Sequence, residues 1–199
     1  FDFSPLGTSH LVLSAVTTET PVAAASAMLS LRYELLAAHT DVRDFHASAD
    51  SQYVRNRVMR AISENSDHAC YLITCHKAEL DPSLRTREMA FAHLAERVVE
   101  SALFQKSELT RRIVLIFDIA LPNKERGLVL GKIVPSLKRT AVPFAVYFQS
   151  MKHEPIGQIA DYYAWATYVQ LERGENRPWL ALQGNGQRVI MRLKSDRPS

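Results

Sequence analysis

The sequence predicts an α/β fold in which a mixed, mostly parallel sheet carries helices on both of its faces. Two observations support this prediction. Short runs of branched aliphatic residues alternate with longer runs whose apolar residues recur at helical spacing, and no repeat or low-complexity block interrupts the alternation. At 199 residues the chain can bury a substantial core but is short for two full domains, so we expect a single domain over 1–199.

The first elements in chain order are a strand and two helices. His10–Thr18 is rich in branched aliphatic residues and threonine, which favour a strand. Thr20 followed by Pro21 predicts the start of a helix that runs to about Ala38. A second helix is predicted to begin at Asp50, which is a candidate N-cap and a weaker candidate metal ligand.

The middle of the chain contains the two clearest strand signals. Ala69–Thr74 is an almost unbroken apolar run, which is typical of a strand buried on both faces. Ile113–Phe117 gives the strongest strand pattern and ends abruptly at Asp118. A helix is predicted between these strands, over about Thr86–Phe104.

The last third of the chain continues the alternation. Pro122 marks a loop, and Gly174 is placed to end a helix as a left-handed C′ residue. Asn185-Gly186 is a hairpin-type turn signal ahead of the final strand. The predicted elements in order are a helix over Lys124–Leu137, a strand over Pro143–Phe148, a helix over Pro155–Glu172 and a strand over Val189–Leu193.

Composition narrows the classes of protein. Hydrophobic residues form 47% of the chain and charged residues 23%, as in ordinary globular proteins. The net charge of +3 permits contact with nucleic acid without requiring it. No secretory signal or membrane-spanning run is present, so we expect a cytoplasmic protein with no membrane partner. Cys70 and Cys75, five apart on one predicted strand, face opposite sides and are expected to be reduced core residues.

One motif near the end of the chain is distinctive. Gln158–Tyr162 (QIADY), followed by Trp165 and by LERG at 171–174, resembles the closing motif of the bacterial family called domain of unknown function 3800. The segments FHAS at 45–48, VRNRV at 54–58, YLITCHK at 71–77 and IVLIFD at 113–118 also resemble sequences of that family.

The resemblance implies a ribonuclease H-like fold and a metal-dependent active site. In such enzymes acidic residues sit on the first strand, on a later central strand and on a closing helix, and Asp118 and Asp161 match the second and third positions. Family members open with a strand that ends in Asp-Glu-Ser-Gly, just before a segment like FDFSPLG at 1–7. That first strand is expected upstream of Phe1 and is missing from this sequence.

Two aspartates are therefore the candidate metal ligands and catalytic residues. The resemblance implies that Asp118 and Asp161 hold Mg²⁺ or Mn²⁺ for phosphodiester hydrolysis, since two divalent ions can activate water and neutralise the scissile phosphate. The position of each residue also fits a structural role. An aspartate at a strand end can cap a loop, and one near a helix start can complement the helix dipole.

Five further residues are candidates around those aspartates. His46 could shuttle a proton to the leaving group, or it could be structural. Gln158 shares the helix face of Asp161 and could bind substrate or satisfy buried backbone groups, while Trp165 could line the cleft or pack in the core. Ser48 and Arg55 are the remaining candidates for substrate binding.

Several basic and histidine residues are weaker candidates. Charges on exposed helix faces are usually only solvated, but these could contact phosphates: Arg57, Arg60, Lys124, Arg126, Lys132, Lys138 and Arg139. His76, His153 and Glu154 lie near predicted strand ends and are possible neighbours of the cleft.

Three functions remain open at the level of the sequence. The first is a Mg²⁺-dependent nuclease that acts on nucleic acid, with a role in defence against phage or other mobile DNA, as the resemblance implies. The alternative is a catalytically silent ribonuclease H-like module that binds nucleic acid or a protein, which the missing acidic strand favours. The third is an interaction scaffold whose acidic cleft has a structural purpose. No Gly-rich phosphate loop, nucleophile elbow, HExxH or paired CxxC is present to support other common enzyme classes.

Overall fold

Strands and helices alternate along the chain, which confirms the predicted α/β class. The computed structural model describes residues 8–64, 68–84, 86–105, 107–118, 122–183 and 187–192. In this part of the chain the helices are α1 Pro21–Ala37, α2 Gln52–Glu64, α3 Arg87–Phe104, α4 Asn123–Arg139, α5 Pro155–Arg173 and α6 Arg177–Ala181. The strands are β1 His10–Thr17, β2 Ala69–His76, β3 Ile113–Asp118, β4 Phe144–Gln149 and β5 Gln187–Arg192.

The strands form two sheets within the described residues, whereas the sequence predicts one. One sheet has the order β1-β2-β5, and the other consists of β3 and β4. β3 and β4 are parallel and in register from Ile113 opposite Phe144 to Asp118 opposite Gln149. Their parallel pairing follows from the helical connection through α4. Hydrophobic periodicity identifies strands but not their partners, so the pattern could not show whether the strands form one sheet or two.

Among the described residues, one face of the β3–β4 sheet is left partly exposed, whereas the sequence predicts helices on both faces. Val114 is 53% exposed, Ile116 is 38% exposed, and Tyr147 opposite Ile116 is 49% exposed. Phe117, on the other face of β3, is buried. The uninterrupted apolar sequence of β3 resembles a strand buried on both faces, and it therefore gave no sign of this asymmetry.

The chain divides into two compact units. We call Phe1–Ala15, Tyr71–Gln149 and Ile190–Ser199 the sheet unit, and Val16–Cys70 with Ser150–Val189 the helical unit. In the sheet unit α3 packs against α4, and buried residues recur at helical spacing on both helices, as at Phe91, Leu94 and Val98 on α3. The single domain expected over 1–199 stays a prediction.

The helical unit contains the elements that build the candidate site. α5 contacts both α1 and α6, and α2 contacts α1 and α6. α1 presents Ala24, Met28, Leu31 and Leu35 as its buried stripe, at the predicted helical spacing. α5 is the longest helix of the described chain and ends at Gly174, whose φ of 66° is the left-handed conformation predicted for that residue.

Some local predictions need correction. Thr20 makes no side-chain cap to α1, although Pro21 opens that helix as predicted. α2 begins at Gln52 rather than Asp50, and the Ser51 hydroxyl, not the Asp50 carboxylate, accepts the Val54 N–H in its first turn.

Other predictions have simpler outcomes. Cys70 and Cys75 are buried and form no disulfide within the described residues, as expected. The predicted turn at Asn185-Gly186 lies outside the described residues. Among the described helices, none combines the length and apolar character needed to cross a membrane.

Candidate functional site

One face of α5 holds the loop that precedes α2. Gln158, Asp161, Tyr162 and Trp165 follow the i, i+3, i+4, i+7 spacing, so they lie on the same side of the helix. Each contacts Phe45–Asp50, which we call the 45–50 loop, or the Arg55 side chain beside it. The QIADY motif therefore joins two segments that are more than 100 residues apart in the sequence.

Asp161 is the centre of this contact. Its Oδ2 atom accepts hydrogen bonds from the Ala47 backbone N–H at 2.8 Å and from His46 Nδ1 at 3.0 Å. The Asp161 side chain is 27% exposed and that of His46 is 57% exposed. The pair is therefore partly sheltered and open to solvent on the histidine side.

His46 also contacts Ser48. The Ser48 hydroxyl lies 3.1 Å from His46 Nε2, on the opposite side of the imidazole ring from Asp161. A carboxylate only accepts hydrogen bonds, so His46 Nδ1 carries a proton toward Asp161, and when the imidazole is neutral its Nε2 accepts the Ser48 hydroxyl hydrogen. Ser48, His46 and Asp161 thus form a hydrogen-bonded chain, which we call the triad.

The triad changes the basicity of its histidine. The hydrogen bond from His46 to Asp161 raises the pKa of His46 above its ordinary value, and partial burial opposes this only in part. The negative charges of Asp161 and Asp50 act in the same upward direction. His46 is therefore a stronger base than a free histidine.

Asp50 is a second carboxylate in the same loop. Its Oδ2 atom accepts the Tyr162 hydroxyl and the His46 backbone N–H at 3.0 Å. Burial raises the pKa of Asp50, while the Tyr162 and His46 hydrogen bonds lower it, and burial has the larger effect. Tyr162 is fully buried and its pKa is raised, first by that burial. The sequence interpretation missed Tyr162, because an interior tyrosine in a helix resembles any core residue.

Three residues predicted to bind substrate contact this loop or each other beside it. Gln158 is buried, and its amide accepts from Phe45 N and donates to the Lys152 carbonyl. Arg55 donates to the carbonyls of Ala47 and Asp50, and its guanidinium lies 5.2 Å from the centre of the Trp165 ring. These contacts agree with structural roles for Gln158, Trp165 and Arg55, and substrate binding by these residues stays a prediction.

Many of the remaining basic candidates are paired. Ion pairs join Arg57 to Glu34, Arg60 to Glu64, Lys132 to Glu96 and Arg139 to Glu100. The Arg126 guanidinium lies 5.2 Å from the Phe148 ring centre. These side chains therefore already have partners, as is usual for charges on exposed helix faces.

A small cavity lies next to the triad in the helical unit. It has a volume of about 170 Å³, and basic side chains dominate its charged lining: Arg32, Arg43, Lys152 and His153. Phe45 and Gln158 also line it, and these are direct neighbours of the triad through the chain and along α5. Of the lining residues, Gln158 and His153 were named among the sequence candidates.

The predicted metal ligands are in different compact units. Asp118 ends β3, opposite Gln149 in the sheet unit, and it is partly exposed. Asp161 belongs to the helical unit, where its Oδ2 already accepts two N–H groups. Among the described residues, no group of three His, Cys, Asp or Glu side chains is arranged to hold a metal ion. Asp118 and Asp161 as ligands of Mg²⁺ or Mn²⁺ therefore stay a prediction, and we derive no catalytic step through such an ion.

Comparisons with known proteins add no assignment to this geometry. No protein-family model, curated protein or solved structure matches the chain.

Proposed function

We propose that the protein hydrolyses phosphodiester bonds of nucleic acid, with Ser48 as nucleophile and His46 as the acid–base group. The observation that carries this proposal is the triad. A hydroxyl, an imidazole and a carboxylate are joined in that order by hydrogen bonds of 3.1 Å and 3.0 Å. This order activates a serine, because the histidine takes the hydroxyl proton while the carboxylate stabilises the resulting imidazolium.

The proposed first step transfers the phosphoryl group to the protein. Ser48 Oγ attacks phosphorus as its proton passes to His46 Nε2. The bond from phosphorus to the leaving oxygen then breaks, and His46 returns the proton to that oxygen. One product leaves as an alcohol, and Ser48 carries the other part of the strand as a phosphodiester.

The proposed second step restores the serine. Water attacks the phosphorus of the Ser48 ester and gives a proton to His46 Nε2. The bond between phosphorus and Ser48 Oγ breaks, and His46 protonates the serine oxygen. The second product leaves as a phosphate monoester, so the two steps together consume one water for each bond cleaved.

Charge supports an anionic substrate over a neutral one. The cavity beside the triad is lined by Arg32, Arg43 and Lys152, which attract a charged phosphate more strongly than an uncharged ester. The same triad chemistry could in principle act on a carbonyl. The basic surroundings therefore support a phosphodiester as the substrate.

Hydrolysis of bis(p-nitrophenyl) phosphate and of a fluorescent oligonucleotide tests the proposal. Ser48→Ala and His46→Gln should each lose at least about 100-fold of the wild-type rate, since each removes one acid–base or nucleophilic group. Ser30→Ala and His39→Asn are matched controls, because both residues are exposed in the helical unit and lie outside the triad. Wild-type rates in Ser48→Ala, or hydrolysis confined to p-nitrophenyl acetate, would reject the proposal.

Chelation separates this route from the metal-dependent one that the family resemblance implies. Hydrolysis by the triad should persist in EDTA, because each group in it belongs to the chain. If EDTA abolished hydrolysis and Mg²⁺ restored it, Asp118 and Asp161 would become the leading candidates as metal ligands, and the reaction through Ser48 and His46 would be rejected.

The basic cavity favours a second candidate function, a non-catalytic module that binds nucleic acid. Four basic side chains line a cavity in the helical unit whether or not Ser48 reacts. Oligonucleotide binding without any hydrolysis would support this module and reject the enzyme.

We also propose the ribonuclease H-like topology and a cytoplasmic setting. The parallel β3–β4 pair, Asp118 at the end of β3 and Asp161 on α5 support the topology. Two buried cysteine thiols, Cys70 and Cys75, support a reducing compartment. An experimental structure that joins the two sheets through one further strand would confirm the topology, and one with separate sheets would reject it.

A further inference from the structure

The cavity beside the triad has a position and a lining that suit a specific ligand group. Arg32 comes from α1, Arg43 from the segment before the 45–50 loop, and Lys152 and His153 from the turn before α5. All of them belong to the helical unit, so a single compact unit builds the cavity.

The charge of the cavity is strongly one-sided. Arg32, Arg43 and Lys152 carry permanent positive charges, and no aspartate or glutamate appears among the residues that line the cavity. None of these three residues forms an ion pair with a carboxylate in the described part of the chain. Arg32 is fixed in place because its Nε donates to the Val42 carbonyl at 3.2 Å. A polar cavity with uncompensated cations is suited to an anion.

The start of α5 adds to the attraction. Pro155 is the first residue of this 19-residue helix and lines the cavity. The N-terminus of a helix carries a partial positive charge and unpaired backbone N–H groups, which favour a negatively charged ligand. The helix end and the basic side chains therefore act on the same space.

The size of the cavity limits the ligand. Its volume of about 170 Å³ is below the range of roughly 300–1,000 Å³ that accommodates drug-sized ligands. A whole nucleotide is therefore too large to be enclosed by this cavity, while a single tetrahedral phosphate group is small enough to enter it. Buried Met28 and Phe45 give the cavity an apolar part that offers no hydrogen bonds to compete with the phosphate.

We propose that this cavity binds one non-scissile phosphate of a polynucleotide strand and thereby positions the next phosphodiester at Ser48. Phe45 lines the cavity and His46 is the next residue, and Gln158 lines it one helical turn before Asp161. A strand anchored in the cavity would thus continue toward the triad. This inference rests on the proposed function for its substrate, but its binding step is independent of chemistry.

Charge reversal at two exposed lining residues tests the inference. Arg43→Glu combined with Lys152→Glu should weaken binding of inorganic phosphate, measured by calorimetry, by at least about 10-fold, because two charge-assisted contacts are lost. The matched control is Arg173→Glu combined with Arg177→Glu, which changes the net charge equally on exposed positions of α5 and α6. The control should stay within about two-fold of the wild type.

A second readout identifies the polynucleotide. Anisotropy of a labelled short oligonucleotide at several salt concentrations should show weaker binding in the lining variant and a salt slope reduced by about 1. Inorganic phosphate should compete with the oligonucleotide in the wild type. If phosphate binds without competing, the polynucleotide assignment is wrong, and if lining and control variants bind alike, the cavity is not the site.

The Ser48→Ala variant separates this inference from the proposed function. It lacks the nucleophile but keeps the cavity, so it should bind phosphate and oligonucleotide as the wild type does. Normal binding with no hydrolysis in any variant would support the cavity and reject the enzyme. Hydrolysis with unaltered binding in the lining variant would support the enzyme and reject the cavity.

Discussion

His46 Nδ1 lies 3.0 Å from Asp161 Oδ2, although 115 residues separate the two in the sequence. The same carboxylate oxygen accepts the Ala47 N–H, so one aspartate fixes both the backbone of the 45–50 loop and the ring of its histidine. An aspartate that orients an imidazole sets which nitrogen is available for proton transfer. Asp161 is therefore a positioning residue in the proposed reaction, and Ser48 and His46 are the groups that meet the substrate.

The pH dependence of hydrolysis should report this relationship. Asp161→Asn removes the bond that raises the pKa of His46, so the acidic limb of the pH–rate profile should move to lower pH. The maximum rate should fall by about 100-fold or more, because the imidazolium loses its stabilising charge. Asp41 is an exposed acid of the same unit, so Asp41→Asn should change neither the position of the acidic limb nor the maximum rate. A reduced rate with an unmoved limb would show that Asp161 acts only on loop structure.

The stability of the fold should depend on pH through His46. Its raised native pKa means that the folded state binds the proton more tightly than the unfolded state does. The stabilisation is complete below the ordinary histidine value and is lost as the pH rises through the native pKa. The wild-type free energy of unfolding should therefore exceed that of His46→Gln, and the difference should be larger at about pH 5.5 than at about pH 8.5. Urea denaturation at both pH values measures this, and an equal difference at both would contradict it.

Removal of the Tyr162 hydroxyl should destabilise the helical unit. Tyr162 is fully buried and donates to Asp50, whose carboxylate would lose its buried partner in Tyr162→Phe. We expect a loss of about 1–3 kcal/mol in the free energy of unfolding. The matched control is Tyr53→Phe, because Tyr53 is 52% exposed on α2, and this change should stay within about 0.5 kcal/mol. Equal effects of the two variants in urea denaturation would contradict the role given to Tyr162.

Arg55 should matter for stability rather than for substrate affinity. Arg55→Gln removes the donors to the Ala47 and Asp50 carbonyls and the contact with Trp165, at an expected cost of about 1–3 kcal/mol. Arg60→Gln breaks only an exposed pair with Glu64 and should cost much less than Arg55→Gln. Thermal denaturation compares the two. A stable Arg55→Gln protein with weakened oligonucleotide binding would contradict this expectation and support the prediction that Arg55 binds substrate.

Two glycines should respond to alanine in opposite directions. Gly174 has a φ of 66°, so Gly174→Ala should destabilise the end of α5 by about 1 kcal/mol. Gly127 lies inside α4 and an added Cβ there would meet no atom within 4 Å, so Gly127→Ala should stabilise by about 0.5–1 kcal/mol. Melting temperatures check both signs. A stabilising Gly174→Ala would mean that α5 ends differently in solution.

The elements of the fold could be predicted because their signals are local. Helical spacing located α1 and α3, and Gly174 marked the end of α5, since these features depend on residues a few positions apart. Strand pairing is different, because β1, β2 and β5 are far apart in the sequence. Nothing in a strand's own pattern names its partner, so the division into two sheets was not predicted.

The candidate site could be predicted only in part, for a similar reason. Asp161 was identified as a metal ligand with Asp118, His46 as a proton shuttle and Ser48 as a substrate-binding residue, but not as a hydrogen-bonded triad. Their mutual hydrogen bonds depend on the docking of α5 against the 45–50 loop, which no local pattern encodes. Arg32, Arg43 and Lys152 were not identified at all, because single basic residues on three separate segments resemble ordinary surface charges.

Four side chains on one face of α5 keep the 45–50 loop in place, and this has a consequence for the control of reactivity. In a chain in which α5 has separated from the 45–50 loop, His46 would be an ordinary imidazole and Ser48 an ordinary alcohol. In the proposed reaction, the chain could then hydrolyse nucleic acid only after folding is complete. Newly made or damaged molecules would be inert toward nucleic acid until their tertiary structure is whole.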